Sequence, residues 1–169
     1  MSGSLDKVII LDTDVASVFA KIKRLELIKR LFSKHRIVII PEIYEELAIS
    51  LDYGYTFPLD IFGYFEVLYP SEEENKEYQR LLIEKRRLGK GELEAISICK
   101  HRRGYVFSSI DSAALRFAEG NDVETIWLHS ILRSLWESGL QSEGEVREII
   151  TEIEKKDNTM IRNVEAIFR

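Results

Sequence analysis

The stretch VIILDTDV, Val8–Val15, decides the fold. Val8, Ile9, Ile10 and Leu11 run without a polar break, and three of the four are β-branched. Such a run suits a strand buried on both faces of a parallel sheet. Asp12 follows directly, so a carboxylate stands at the strand's carboxyl end, where open α/β sheets place their sites. Asp14 falls at the start of the next helical pattern. It is either an N-cap there or a carboxylate supporting Asp12 from behind.

Working outward, four more runs rich in β-branched and aromatic residues read as strands: Ile37–Ile40, Phe65–Tyr69, Tyr105–Ser109 and Glu124–Leu128, after a first strand over Lys7–Leu11. Helical patterns lie between them. Val15, Phe19, Ile22, Leu25, Ile28 and Leu31 recur at helical spacing, as do Leu81, Leu82, Leu93, Ile96 and Cys99. Strands alternating with helices predict right-handed crossovers and an α/β three-layer sandwich with a central five-stranded parallel sheet flanked by helices. After the fifth strand come helical segments at His129–Glu137 and Glu143–Lys156 and an apolar stretch through Ile161, Val164 and Ile167. The chain thus reads as one domain over 1–169 with a helical C-terminal extension from about 138, packed on the sheet or on another subunit.

Composition fits a soluble globular domain, with 45% hydrophobic and 31% charged residues in 169. Cys99 is the only cysteine and sits in an apolar helical pattern, as a buried thiol would. A reducing cytoplasm is expected, and neither a signal peptide nor a membrane span is read from the sequence. A net charge of −5 speaks against coating nucleic acid by bulk positive charge. Basic residues are nonetheless clustered at Lys85, Arg86, Arg87 and Lys90, at Lys100, His101, Arg102 and Arg103, and at Lys34, His35 and Arg36. They serve either as solvated helix ends or as contacts to a phosphate backbone.

Three further segments carry acids. In PEIYEELA, Pro41–Ala48, the apolar face set by Ile43, Leu47 and Leu51 is flanked by Glu46, while Glu45 points away. In LGKGELEAISICK, Leu88–Lys100, a helix starts after two glycines; Glu92 aligns with Ala95, Ile96 and Cys99, and Glu94 falls opposite, towards solvent. In YVFSSIDSAALRFA, Tyr105–Ala118, Asp111 sits at the strand-to-helix turn, where an N-cap is the ordinary role. A parallel sheet brings Asp12, Glu46, Glu92 and Asp111 to one edge. At about 5 Å and an effective dielectric near 20, each pair of charges repels by roughly 3 kcal/mol, so such acids protonate or recruit cations. Mg²⁺ or Mn²⁺ answers that demand with oxygen ligands and retained waters.

The ordered set LDTDV, EELA, GELEAI and SSIDSAA resembles the PIN-domain family, from Val8 to about Trp136. The resemblance implies a metal-dependent ribonuclease acting on single-stranded RNA, of a toxin or RNA-processing type. It makes Asp12, Glu46, Glu92 and Asp111 the metal ligands and catalytic groups. Thr13 and Ser109 become hydroxyl neighbours that orient Asp12 or a water. It also implies a homodimer and an antitoxin as a candidate partner. Two departures predict one strong metal site and a weak second one: the third acid is glutamate where many relatives have aspartate, and no further acid follows Asp111 in its helix's first turn.

Two rivals remain. VIILDTDV also fits the opening of a haloacid-dehalogenase-like phosphatase, with Asp12 as nucleophile and Asp14 as general acid, although the later lysine and acid pair find little room. The other is a non-catalytic α/β binding module whose acids are caps. His35, His101 and His129 lack zinc-ligand spacing, and LGKGE lacks the hydroxyl residue of a P-loop. Phe62, Tyr64 and Phe65 are read as core, with base stacking as the alternative.

Overall fold

The computed structural model describes residues 6–85 and 87–169; Arg86, assigned above to a basic cluster, lies outside them. Five strands form one all-parallel sheet: β1 (Val8–Leu11), β2 (Arg36–Ile39), β3 (Glu66–Val67), β4 (Tyr105–Ser109) and β5 (Glu124–Trp127). Their order is β3-β2-β1-β4-β5. Central β1 contributes Ile9, Ile10 and Leu11 to the core, all fully or nearly fully buried, which is why its sequence shows no alternation. The third strand is shorter than the sequence suggests, as befits the edge of the sheet, and its pairing with β2 is limited to Val38 with Glu66 and Ile39 with Val67.

The chain first winds outward from β1 through β2 to β3, then returns to β4 and β5 on the other side of β1. The direction of winding therefore reverses between β1 and β4. Crossovers on the two sides leave opposite faces of the sheet, and a crevice opens where they part, outside the strands' carboxyl ends. Asp12 ends β1 and Asp111 follows β4, so the two flank that crevice.

The first crossover holds two helices where the periodicity suggested one pattern: α1 (Thr13–Lys21) and α2 (Leu25–Leu31), with Lys23 at φ 58 turning the chain between them. α3 (Pro41–Asp52) and α4 (Phe57–Tyr64) fill the second. α5 (Glu72–Glu84) begins with a capping box of Ser71 and Glu74, and α6 (Lys90–His101) packs along it. α7 (Ser112–Gly120) lies on β4 and β5. The last helices, α8 (Leu128–Glu137), α9 (Glu143–Asp157) and α10 (Val164–Ile167), close the other side. α9 packs on α1 and α8 rather than on the sheet. Val146, Ile149, Ile150 and Ile153 bury its apolar stripe, and Lys21 pairs with Asp157. The C-terminal helices thus finish the same core. Among the described residues no helix is long and apolar enough to cross a membrane.

Candidate active site

Each acid reaches the crevice for a local reason. Asp12 is the N-cap of α1, with extended backbone (φ −67, ψ 156) and Oδ1 accepting the Thr13 amide at 2.8 Å. Of the two roles open to Asp14, the cap therefore belongs to Asp12, and Asp14 sits in the helix's first turn. Asp111 caps α7, its Oδ1 accepting from the amides of Ala113 (2.8 Å) and Ala114 (3.1 Å). That cap leaves Oδ2 outside these bonds, so capping and ligation are compatible. Glu46 projects from the second turn of α3. Glu92 reaches back from α6 to the amide of Gly89 (3.4 Å), and its Oε2 is buried without a hydrogen-bond partner among the described residues.

A chain of hydrogen bonds ties the four acidic segments together. The Ser109 hydroxyl donates to Asp12 Oδ2 at 2.8 Å and accepts the Asp111 amide at 3.1 Å, joining the ends of β1 and β4. The Thr13 hydroxyl donates to Glu46 Oε2, and Glu46 Oε1 accepts from the Gly91 amide at 3.3 Å. The Ser109 hydroxyl thus bonds Asp12, and the Thr13 hydroxyl bonds Glu46 rather than Asp12. Gly91 is required here. It lies inside the first turn of α6, and a Cβ on it would come within 2.9 Å of Ile43 Cγ1 and 3.0 Å of Glu46 Oε1.

The electrostatics of the crevice are first those of burial and only then of neighbouring charge. Burial, helped by the charges of Glu92 and Asp14, pushes the Asp12 carboxyl up to about 8, against the hydrogen bonds from Ser109 and Thr13. Glu92 rises to about 7, through burial and then the charges of Asp111, Asp14 and Glu46. Asp14 is also raised: the residue is exposed at its surface, but its carboxyl loses water in the crevice and feels Asp157, Glu46 and Asp111. Among the described residues no three His, Cys, Asp or Glu groups converge closely enough to hold one ion. The structure therefore presents an acidic cleft, not a closed coordination shell. The donor set still fits Mg²⁺ or Mn²⁺. All its atoms are hard oxygens, one of them is buried and unpartnered, and Mg²⁺ characteristically takes one or two carboxylates and keeps its other waters.

Two sequence expectations change. Glu94, placed towards solvent by helical phase, is 4% exposed. Its Oε1 accepts the Glu42 amide at the start of α3 (2.9 Å), and burial, together with the charge of Glu42 and against that hydrogen bond, holds its carboxyl up at about 7. α6 is enclosed by α5, α3 and β4, so the face opposite the core has no water to meet. The second basic cluster is also displaced. Lys100 pairs with Glu77 at 2.5 Å, and Arg102 binds both oxygens of Glu74, the Tyr69 carbonyl and the Tyr105 hydroxyl. With Arg103 these residues lie where α6 ends and β4 begins, roughly 18 Å of helix away from the acids. Lys85 and Arg87 are exposed just before α6 and Lys90 at its first position, on the acidic edge.

Sequence reasoning singled out Phe62, Tyr64 and Phe65. Phe65 is core, Phe62 stacks on Tyr44 (4.4 Å between ring centroids), and Tyr64 is exposed at the opposite edge of the sheet, where β3 begins.

A parallel sheet in this order, with carboxylates lining the crevice at its switch point, defines an α/β protein with an acidic cleft outside its strand ends. A family model described as a PIN domain matches residues 8–164; the chain belongs to the PIN-domain family, whose members are typically metal-using nucleases. The match runs well past Trp136 and takes in α9. No curated protein matches the chain. Membership displaces the haloacid-dehalogenase reading.

Proposed function

We propose that the chain is a divalent-metal-dependent endoribonuclease hydrolysing phosphodiester bonds in single-stranded RNA. One observation carries the reading: Asp12, Glu46, Glu92 and Asp111, from four separate segments, line the switch-point crevice, where Ser109 joins Asp12 to Asp111, Thr13 and the Gly91 amide hold Glu46, and a buried Glu92 oxygen is left without a partner among the described residues. No cap requires that convergence. One or two of the carboxylates of Asp12, Glu92 and Asp111 would hold Mg²⁺ or Mn²⁺ with its retained waters, Glu46 being oriented beside them by Thr13. A bound cation supplies charge neutralisation for the phosphodiester and a water activated near neutral pH. The chain's own groups do the rest. Ser109 fixes the Asp12 carboxylate, the burial of Asp12 and Glu92 makes their negative charge available only against a cation, and Lys85, Arg87 and Lys90 draw the RNA backbone to this edge. A toxin-type or processing role, a homodimer and an antitoxin partner are further parts of the proposal that rest on family membership alone, and a cytoplasmic setting is one that rests on the lone, buried thiol of Cys99.

The test is cleavage of a single-stranded RNA by purified protein with Mg²⁺ or Mn²⁺, against Asp12→Asn prepared identically. Cleavage should require the metal and should fall by orders of magnitude in the variant, while its circular dichroism stays that of the wild type. Cleavage that persists in EDTA, or equal cleavage by both proteins, would return the chain to the class of non-catalytic binding modules.

A further inference from the structure

Leu11 pairs with Ser108, Ser109 pairs with Trp127, and the Asp12 amide bonds the Ser108 carbonyl at 2.9 Å. Asp12, Ser109 and Trp127 therefore form one row across β1, β4 and β5 at the carboxyl edge. Paired residues leave a sheet on the same face, so the Trp127 indole stands in line with the Ser109 hydroxyl that holds Asp12. Two strand spacings, about 10 Å, separate the backbone of Trp127 from that of Asp12.

Trp127 is 41% exposed, an unusual state for the largest apolar side chain. Its underside is covered. The His129 ring stacks on it at 3.9 Å and 21°, and His129 is itself fixed through Nε2–H donated to the Arg162 carbonyl at 2.6 Å. The indole is thus backed on one side by the imidazole and remains partly open to solvent. It borders a recess of about 410 Å³ that also includes Ser130, Arg133 and Asn163, a size suited to a small planar group with polar edges.

We propose that Trp127, backed by His129, is a stacking platform for an unpaired nucleobase of the RNA strand that crosses the acidic cleft. The inference rests on the ribonuclease reading and adds to it a subsite one strand beyond the scissile position. An aromatic face suits this occupant because every base has a π-face, so stacking holds single strands without demanding a sequence. A duplex hides those faces, and the platform therefore selects unpaired RNA.

The experiment measures binding in EDTA, where nothing is cut, using a labelled oligouridylate and an abasic oligomer of equal length and charge. The wild type should bind the base-bearing strand roughly tenfold or more tightly. Trp127→Ala should erase that difference, and Trp127→Phe should keep most of it; thermal melts establish that both variants fold. Equal binding of the two strands by the wild type, or discrimination unchanged in Trp127→Ala, overturns the platform. So does a wild-type dimer that Trp127→Ala dissociates while discrimination persists, which would make the indole a contact between copies. Because the readout needs no catalysis, base discrimination without metal-dependent cleavage would keep the subsite and remove the nuclease. Cleavage without discrimination would do the reverse.

Discussion

Glu94 shows how far a single residue can be read from its position in a helix. Periodicity gives the direction of a side chain; it does not say what lies in that direction. Here it is the start of α3, and the Glu42 amide finds its acceptor in Glu94 Oε1. Glu94→Gln keeps an acceptor and loses the charge. It should melt close to wild type at pH 5 and above it at pH 8. Glu94→Ala abandons a buried amide and should cost about 1–3 kcal/mol at either pH. Equal losses in both variants at pH 8 would mean that the carboxylate charge itself stabilises the fold, contrary to its burial. The other acids were legible by type and order, since the strand ends announce Asp12 and Asp111. What could not be read were the partners of their oxygens: that Ser109 spans both aspartates, or that Thr13 serves Glu46.

At the scale of elements, the five strands were visible because buried parallel strands are written as unbroken apolar runs, as in VIIL and IVII. β3 was overestimated because Phe65 and Leu68, both buried, supply core side chains beyond its two paired residues. α4 was missed for a related reason: its residues Phe57–Tyr64 are apolar and aromatic nearly throughout, so no polar face marks a helical period. The contact between α3 and α6 was also illegible, because it depends on the absent side chain of Gly91. Gly91→Ala should force Ile43, which is fully buried, or Glu46 to yield. A stability loss of about 1–3 kcal/mol is expected, the usual range for overpacking. Because Glu46 is one of the two groups pressed, metal affinity should fall in calorimetric titration while the secondary structure is retained. Unchanged stability and affinity would show that the two helices are not held at this point.

For the molecule as a whole, charge is distributed by edge. The carboxyl edge of the sheet carries the acids, with Lys85, Arg87 and Lys90 beside them, while Lys100 and Arg102 are consumed in ion pairs at the other end of α6. Removing Lys85, Arg87 and Lys90 together should flatten the salt dependence of RNA binding, by roughly 0.7 in logarithmic slope for each phosphate that the protein no longer neutralises. Arg103→Ala, at the far edge, should leave the slope alone. A reversed result would place the RNA across the amino edge and away from the cleft.

The acids also govern how stability depends on pH. Asp12, ordinarily near 3.8, is held at about 8, and Glu92 and Glu94, ordinarily near 4.5, at about 7. Between about pH 4 and 8 the folded chain therefore binds more protons than the unfolded chain, so metal-free stability must fall as pH rises through that window. Glu77 works in the opposite sense. Hydrogen bonds from Arg80 and Lys100 lower it to about 2, and its contribution disappears only as pH drops below the ordinary carboxylate range. The melting temperature in EDTA should consequently decline from pH 5 to pH 8. A cation reverses the balance, because it binds the deprotonated acids and displaces their protons. At a hundred times its dissociation constant it adds about 2.7 kcal/mol, which is roughly 5–10 °C for a chain of this size. The gain from Mn²⁺ should thus grow from pH 5 to pH 8, and Asp12→Asn should both flatten the EDTA profile and lose the Mn²⁺ response. A melting temperature in EDTA that climbs steadily from pH 5 to 8, unmoved by millimolar Mn²⁺, would mean that these carboxylates ionise freely and that no cation is needed to reconcile them.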